Sequence, residues 1–378
     1  MKVLSVFGTR PEAIKMAPLL QAVSSHPQLE SKVAVTAQHR EMLDQVLRLF
    51  EIVPDYDLNL MKQGQTLSDI TCAVLKGLDE ILTKEQPDIL LVHGDTTTTC
   101  AAALAGYYHQ VPVGHVEAGL RSGDKYAPYP EEINRKLSGA IAAVHFAPTD
   151  CARENLLREG VADEQIFITG NTVIDALLQT VDKPCDLADV GLSDVDWSKK
   201  VILMTCHRRE NWGRPMEEIF AAAKTVLEEC LDAQIVLPVH KNPLVREIAH
   251  RQLDGAERVH FCEPLDYLPF CHVMKKSYLV LTDSGGLQEE APALGKPVLV
   301  LRDVTERPEA IAAGTARLVG CSYDSVRSNC LELLTDKTAY AKMAHAANPY
   351  GDGNASARIA EAIKYEFGLV DKRPEDFK

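Results

Sequence analysis

No apolar run in this 378-residue sequence is long enough to span a bilayer, and the first one, residues 3–7, is closed at once by Gly8. That is also too short for the core of a signal peptide, so a cytoplasmic protein with no membrane association is expected. Basic charge is scarce: 40 Lys and Arg stand against 54 Asp and Glu, a formal net charge of −14. General nucleic-acid binders and binders of anionic membranes need basic surface, so neither class is expected. An anionic substrate would then have to be met by a few local cations, which makes single Arg and Lys residues in loops informative. The ten cysteines lie far apart, with no CxxC and no Cys/His ligand cluster. This argues against a disulfide framework and a structural metal alike. Cys72, Cys100 and Cys230 fall in apolar helical stretches, where a thiol behaves as a small hydrophobe in a reducing compartment. The dinucleotide fingerprint G-x-G-x-x-G is absent as well.

What is present is an ordinary globular composition, 46% hydrophobic and 25% charged, in a chain longer than one hydrophobic core usually grows. Two domains are therefore expected. Short runs rich in Val, Ile and Leu alternate with helix-period segments. In the first half, strands are predicted at 3–7, 32–36, 89–93, 111–116, 145–147 and 165–168, with helices such as 13–23 and 67–82 between them. In the second half they fall at 201–204, 234–238, 258–261, 278–282, 297–301 and 316–319. Continuous apolar strands alternating with helices predict an α/β fold with buried parallel sheets covered on both faces. The polar, helix-poor stretch 182–200 separates the two series. The expected domains are thus an N-terminal Rossmann-like one over 1–170 and a C-terminal one over 171–353, followed by a final helix at 355–367.

In open parallel sheets ligands sit beyond the carboxyl ends of the strands, and the chemistry-bearing residues cluster there. After the first strand, Gly8-Thr9-Arg10-Pro11-Glu12-Ala13-Ile14-Lys15 combines a tight turn, a capping-box pattern and two cations on a helix start. This is either an anion site or a capped helix with solvent-facing charges. Arg10-Pro11-Glu12-Ala13 recurs as Arg307-Pro308-Glu309-Ala310, too short an echo to establish duplication. The run His93-Gly94-Asp95-Thr96-Thr97-Thr98-Thr99 opens a helix with four β-branched residues, which is costly for propensity. A ligand at that helix start would explain the cost; Asp95 as a plain N-cap is the structural alternative.

Glu117 follows an apolar strand in Gly114-His115-Val116-Glu117-Ala118-Gly119, and Glu131 opens the helix after Tyr129-Pro130, with Arg135 one turn on and able to pair with it. Each has a bland reading as a solvated loop or helix-start carboxylate. Together Asp95, Glu117 and Glu131 form the convergent set that proton transfer at an unactivated carbon would need. In the second half, Thr205-Cys206-His207-Arg208-Arg209 sets an imidazole beside two guanidiniums, which suits phosphate chemistry. Thr282-Asp283-Ser284-Gly285-Gly286-Leu287 runs from a strand through Ser and two glycines into a helix, a turn whose backbone N–H groups can cradle phosphate. Glu290 stands where it could accept from ribose hydroxyls, and Arg307 is a further candidate for phosphate contact.

Taken together these segments resemble the non-hydrolysing UDP-N-acetylglucosamine 2-epimerase family, from Phe7-Gly8-Thr9-Arg10-Pro11-Glu12-Ala13 through Asp283-Ser284-Gly285-Gly286 to Asn348-Pro349-Tyr350-Gly351-Asp352-Gly353. The resemblance implies two Rossmann-like domains in a GT-B-like arrangement, with the active site in the interdomain cleft and the C-terminal helix, within 354–378, packing back on the first domain. It implies UDP-GlcNAc and UDP-ManNAc as substrates, a homodimer, and neither metal nor cofactor. Asp95, Glu117, Glu131 and His207 match the catalytic positions. Arg10, Lys15, Arg135, Ser284, Gly285, Gly286, Glu290 and Arg307 match substrate contacts, with Phe270 on the uracil side. Bacterial members are also activated by their own substrate at a second site, to which Gln38, His39, Gln65 and Arg208 correspond. The chain departs from some relatives at Leu265, where Gln can stand, and at Gly64, where Arg can stand. A glycosyltransferase, a hydrolysing epimerase and a silent nucleotide-sugar sensor are the competing readings.

Overall fold

A computed structural model describes residues 1–37, 40–60 and 64–378. The chain divides into two compact units, one comprising Met1–Ala176 with Tyr350–Lys378 and the other Leu177–Pro349. The first holds strands β1 (Lys2–Phe7), β2 (Glu30–Val35), β3 (Tyr56–Asp57), β4 (Ile89–His93), β5 (Val113–Val116), β6 (Val144–Ala147) and β7 (Ile166–Ile168). The second holds β8 (Lys200–Thr205), β9 (Ala233–Pro238), β10 (Val259–Cys262), β11 (Leu279–Thr282), β12 (Val298–Val300) and β13 (Ala316–Leu318). Every expected strand forms, with ends displaced by at most two residues; β3, two residues long, was not expected because it is too short to carry a periodic pattern.

Both sheets are parallel. Their orders are β3-β2-β1-β4-β5-β6-β7 and β10-β9-β8-β11-β12-β13, so each reverses direction once, at β1/β4 and at β8/β11. Loops leaving the strands on either side of such a reversal diverge and open a crevice at the carboxyl ends. The cores explain the uninterrupted apolar strands. Leu4, Val6, Leu90 and Val92 are sealed under helices Leu67–Glu85 and Thr97–Tyr108, and Ile202, Met204, Leu279 and Leu281 pack with Ile219, Phe220 and Val226 of helix Arg214–Glu229. Parallel strands covered on both faces have no solvated side, which removes any reason for polar alternation.

The first helix, Arg10–Ser25, shows how a local signal sets a site. Thr9 caps it and Glu12 closes the capping box, accepting from the Thr9 and Gly8 N–H groups at 2.7 and 3.0 Å. Lys15 is thereby held on the second turn, above the carboxyl end of the sheet. The C-terminal helix Ala355–Glu366 belongs to the first unit, where buried Asp175 accepts from the N–H groups of Ala355 and Ser356 at its start. No helix among the described residues is long and apolar enough to cross a membrane.

The echo of Arg10-Pro11-Glu12-Ala13 at 307–310 falls at non-equivalent turns. The first follows the innermost strand β1, the second follows β12, and there Arg307 is the N-cap residue of a helix with no side-chain cap. Pro and a Glu in the first turn are the start signals the two helices share, whereas only the first is closed by a capping box.

Candidate active site

In the first unit the strand ends converge on Glu117. It follows β5 with φ of +60°, a left-handed conformation uncommon for a residue with a Cβ. Its side chain is only 7% exposed and is clamped by Lys15, whose Nζ lies 2.8 and 2.6 Å from the two carboxylate oxygens. Asn171, three residues beyond β7, donates to Oε1 at 3.2 Å, and His93 Nε2 from the end of β4 lies 3.0 Å from Oε2. Burial alone would push the carboxyl pKa up, but Lys15 and His93 outweigh it and hold Glu117 well below the usual carboxylate range. Lys15 and His93 therefore favour the ionised form of this desolvated carboxylate.

Asp95 lies beside it in the chain's third turn. It is not the N-cap of helix Thr97–Tyr108: Thr96 is, accepting from Thr99 N at 3.1 Å. Asp95 instead pairs with Arg135, Oδ2 to Nη2 at 2.6 Å. The expected pairing of Arg135 with Glu131 does not form. Arg135 reaches Glu132 Oε2 at 3.1 Å, because Glu132 is the buried carboxylate of that helix face, fixed by the N–H groups of Ser122 and Gly123. Glu131 is left with a solvent-shielded Oε2 that has no hydrogen-bond partner among the described residues. An unsatisfied buried carboxylate oxygen is costly unless a ligand meets it.

The threonine run serves the protein rather than a ligand. Thr96 and Thr99 donate to Glu12 Oε1 at 2.7 and 3.1 Å, and Thr98 is buried against Thr36. Glu12 thus ties the turn after β1 to the turn after β4 and offsets the helix-propensity cost. The glycines flanking Glu117 are likewise structural. A Cβ on Gly114 would lie 2.7 Å from the Leu91 side chain, and one on Gly119, at φ +90°, 2.3 Å from the Ala152 carbonyl.

In the second unit β8 and β11 carry the site. Asp283, fully buried at the end of β11, accepts from the N–H groups of His207 and Arg208 at 2.8 Å each and from Asn211 Nδ2 at 3.1 Å. His207 Nδ1 lies 3.0 Å from Asp283 Oδ1, and the imidazole stacks on His240 with centroids 5.7 Å apart. Ser284, Gly285 and Gly286 follow directly. Neither glycine has a left-handed φ, and a Cβ on either would touch nothing nearer than 3.8 Å. The fold does not require glycine there, so space kept for something else is the remaining physical reason. Glu290 is buried and accepts from Tyr267 Oη at 3.0 Å, with half-buried Phe270 on the same helix as Tyr267. Arg307 pairs with buried Glu289.

The candidate cations thus fall into two groups. Lys15, Arg135 and Arg307 are ion-paired, whereas the Arg10 and Arg208 guanidiniums have no hydrogen-bond or ion-pair partner among the described residues. Gln38 and His39 lie outside the described residues; Gln65 is half-buried ahead of the cap residue Thr66. Four residues escaped the sequence reading as site elements: Glu12, His93, Asn171 and Asp283. All stand at or just beyond strand ends, and only their long-range partners distinguish them from ordinary turn residues. No group of His, Cys, Asp and Glu that could hold a metal occurs among the described residues.

Known proteins share this architecture along the whole chain. The family model described as UDP-N-acetylglucosamine 2-epimerase matches residues 21–364. The Escherichia coli UDP-N-acetylglucosamine 2-epimerase is 57% identical over 370 residues, covering 96% of this chain and 98% of that protein. A Neisseria meningitidis UDP-GlcNAc 2-epimerase, solved bound to UDP-GlcNAc, is 49% identical with a TM-score of 0.84, over 96% of this chain and 99% of that one. An S. aureus protein solved with UDP is 50% identical with a TM-score of 0.88, over 100% of each chain.

Proposed function

The chain belongs to the UDP-N-acetylglucosamine 2-epimerase family, and on that premise we propose that it interconverts UDP-GlcNAc and UDP-ManNAc by inversion at C2 through elimination and re-addition of UDP. A base removes the C2 proton, the C1–O bond to the diphosphate breaks with its electron pair leaving on UDP, and a C1=C2 double bond forms in 2-acetamidoglucal. UDP then adds back to C1 while a proton is delivered to the opposite face of C2.

The observation that carries the reading is the buried, ionised Glu117 clamped by Lys15. A carboxylate held in that state has no proton to donate and is only weakly basic while Lys15 stays in place. An anionic substrate that drew Lys15 toward its diphosphate would release part of the clamp and raise the basicity of Glu117, so binding and proton abstraction are coupled through one lysine. Glu131 and Asp95 serve the remaining proton transfer. The Ser284 hydroxyl and the backbone N–H groups of Gly285 and Gly286 receive the diphosphate, assisted by Arg10, Arg208 and Arg307, while the Ser284 N–H is held by Thr282 Oγ1; His207 meets the leaving group. Glu290 takes the ribose and Phe270 the uracil side; Arg135 holds Asp95 in place. The rest of the reading is a cytoplasmic homodimer that supplies ManNAc units for surface polysaccharide and is activated by substrate at a second site including Gln38, His39, Gln65 and Arg208.

Turnover of UDP-GlcNAc in deuterated water tests the chemistry. The recovered nucleotide sugars should carry deuterium at C2. Release of free ManNAc with UDP would favour hydrolysis, and transfer of an unlabelled sugar to an acceptor would favour a glycosyltransferase.

A further inference from the structure

We infer that Asp283 is the positioning residue of His207, fixing the imidazole with its proton on Nδ1 so that Nε2 is the atom presented to the diphosphate. The inference rests on the reading that His207 acts at the leaving group. Its basis is the use made of the two Asp283 oxygens. Oδ2 is occupied by three N–H donors, the His207 and Arg208 main chain and the Asn211 amide, so it sets the path of the loop. Oδ1 is buried and makes no hydrogen bond among the described residues; His207 Nδ1 faces it at 3.0 Å, and the Cys206 thiol also acts on this carboxylate. A carboxylate oxygen can only accept, and a ring lone pair facing a buried, unpartnered one at that distance would be repelled, so the contact favours the proton on Nδ1.

The surroundings leave little freedom. Asn211 is itself fixed, donating to the Leu301 carbonyl and accepting from the Cys321 thiol, which sets the orientation of its amide. Burial would raise the Asp283 pKa, but His207 and the two main-chain N–H groups outweigh it and lower it, so the group facing Nδ1 is an anion. The stacked His240 does not compete. Its Nδ1 accepts from Asn242 N at 3.2 Å, and burial lowers its pKa, with His207 adding to the effect, so it stays neutral. Asp283 also stands next to Ser284 in the chain. One buried carboxylate therefore sets both the imidazole and the start of the glycine turn. With Nδ1 facing an anion, Nε2 is the ring nitrogen left to carry a proton toward the oxygen that gains charge when the C1–O bond breaks.

The test uses the full-length protein labelled with 15N-histidine, with His207 assigned by loss of its signals in His207→Gln. The neutral wild-type imidazole should be the Nδ1–H tautomer. Asp283→Asn keeps an oxygen for the three loop donors but turns an NH2 toward Nδ1. It should reverse the tautomer and lower kcat by about 10²-fold or more, with UDP affinity changed by less than about threefold. A wild-type Nε2–H tautomer overturns the inference even if the variant does not fold. So does a fall in kcat with the tautomer unmoved, or a reversed tautomer with normal turnover. Full turnover in His207→Gln would instead remove His207 from the proposed chemistry, while the wild-type tautomer still judges the Asp283 contact by itself.

Discussion

At the carboxyl ends of β4 and β5 the first unit closes its charges on one another: Lys15 on Glu117, and Arg135 on Asp95 and Glu132. At the ends of β8 and β11 the second unit, built on the same strand order, does the reverse. It buries one carboxylate beneath a histidine, leaves the Arg208 guanidinium without a partner among the described residues, and follows that carboxylate with a turn through Gly285 and Gly286, the Ser284 N–H being taken by Thr282 Oγ1. The first unit's cations and main-chain N–H groups hold the Glu117 and Glu132 carboxyls below the usual carboxylate range, which favours their ionised forms. An unpaired cation and open N–H groups are what an incoming anion needs. One strand order thus supports two chemistries, because its loops and not its sheet decide what faces the crevice.

The largest effect should come from Glu117→Gln, which keeps the shape and removes the charge. Turnover should fall about 10³-fold while calorimetric UDP affinity is retained; normal turnover would break the division between the two units. Lys15→Met comes next, since it strands a buried carboxylate. A loss of about 3 kcal/mol in chemical denaturation is expected, against less than about 0.5 kcal/mol for Arg208→Met, which strands nothing. A third comparison sets glycine against glycine. Gly119→Ala places a Cβ against the Ala152 carbonyl at a left-handed φ and should cost about 2 kcal/mol or more. Gly286→Ala should leave the melting temperature unchanged and weaken UDP binding about tenfold, roughly 1.4 kcal/mol.

The smallest effect, per pH unit, concerns two histidines buried in the first sheet. Desolvation lowers His115 to about 4 and His145 to about 3. In the unfolded chain both would titrate near 6.5, so between that value and about 4 the unfolded state binds protons that the folded state refuses. Stability should therefore be full above pH 6.5 and fall on acidification, by at most about 1.4 kcal/mol per unit for each group. His115→Asn should flatten the slope of melting temperature against pH in that window. An unchanged slope would remove His115 as a cause.

Most of the fold was legible because its signals are local. Buried parallel strands read as apolar runs wherever they occur, and Thr9 with Glu12 announces a helix start within four residues. The site was legible only in outline. The strand-end rule singled out Asp95, Glu117, His207 and Ser284 as candidates, but a helical spacing alone did not give their partners. Arg135 chose Glu132 and Asp95 over Glu131 because a helix turns Glu132, not Glu131, toward the Ser122 and Gly123 N–H groups. The four threonines stayed open between a ligand and a structural role because their acceptor, Glu12, is 84 residues away from Thr96.

The sequence by itself determined which segments are strands, which turns follow them, and which turns carry chemistry, since periodicity, caps and glycines act over a few residues. Only the tertiary structure decided the state of each group. Lys15 reaches Glu117 across 102 residues, over the end of the intervening strand β4, and Asp283 meets His207 across 76 because β8 and β11 are neighbours. A protonation state depends on burial and on the charge a few ångströms away, and neither quantity exists until the strands are paired.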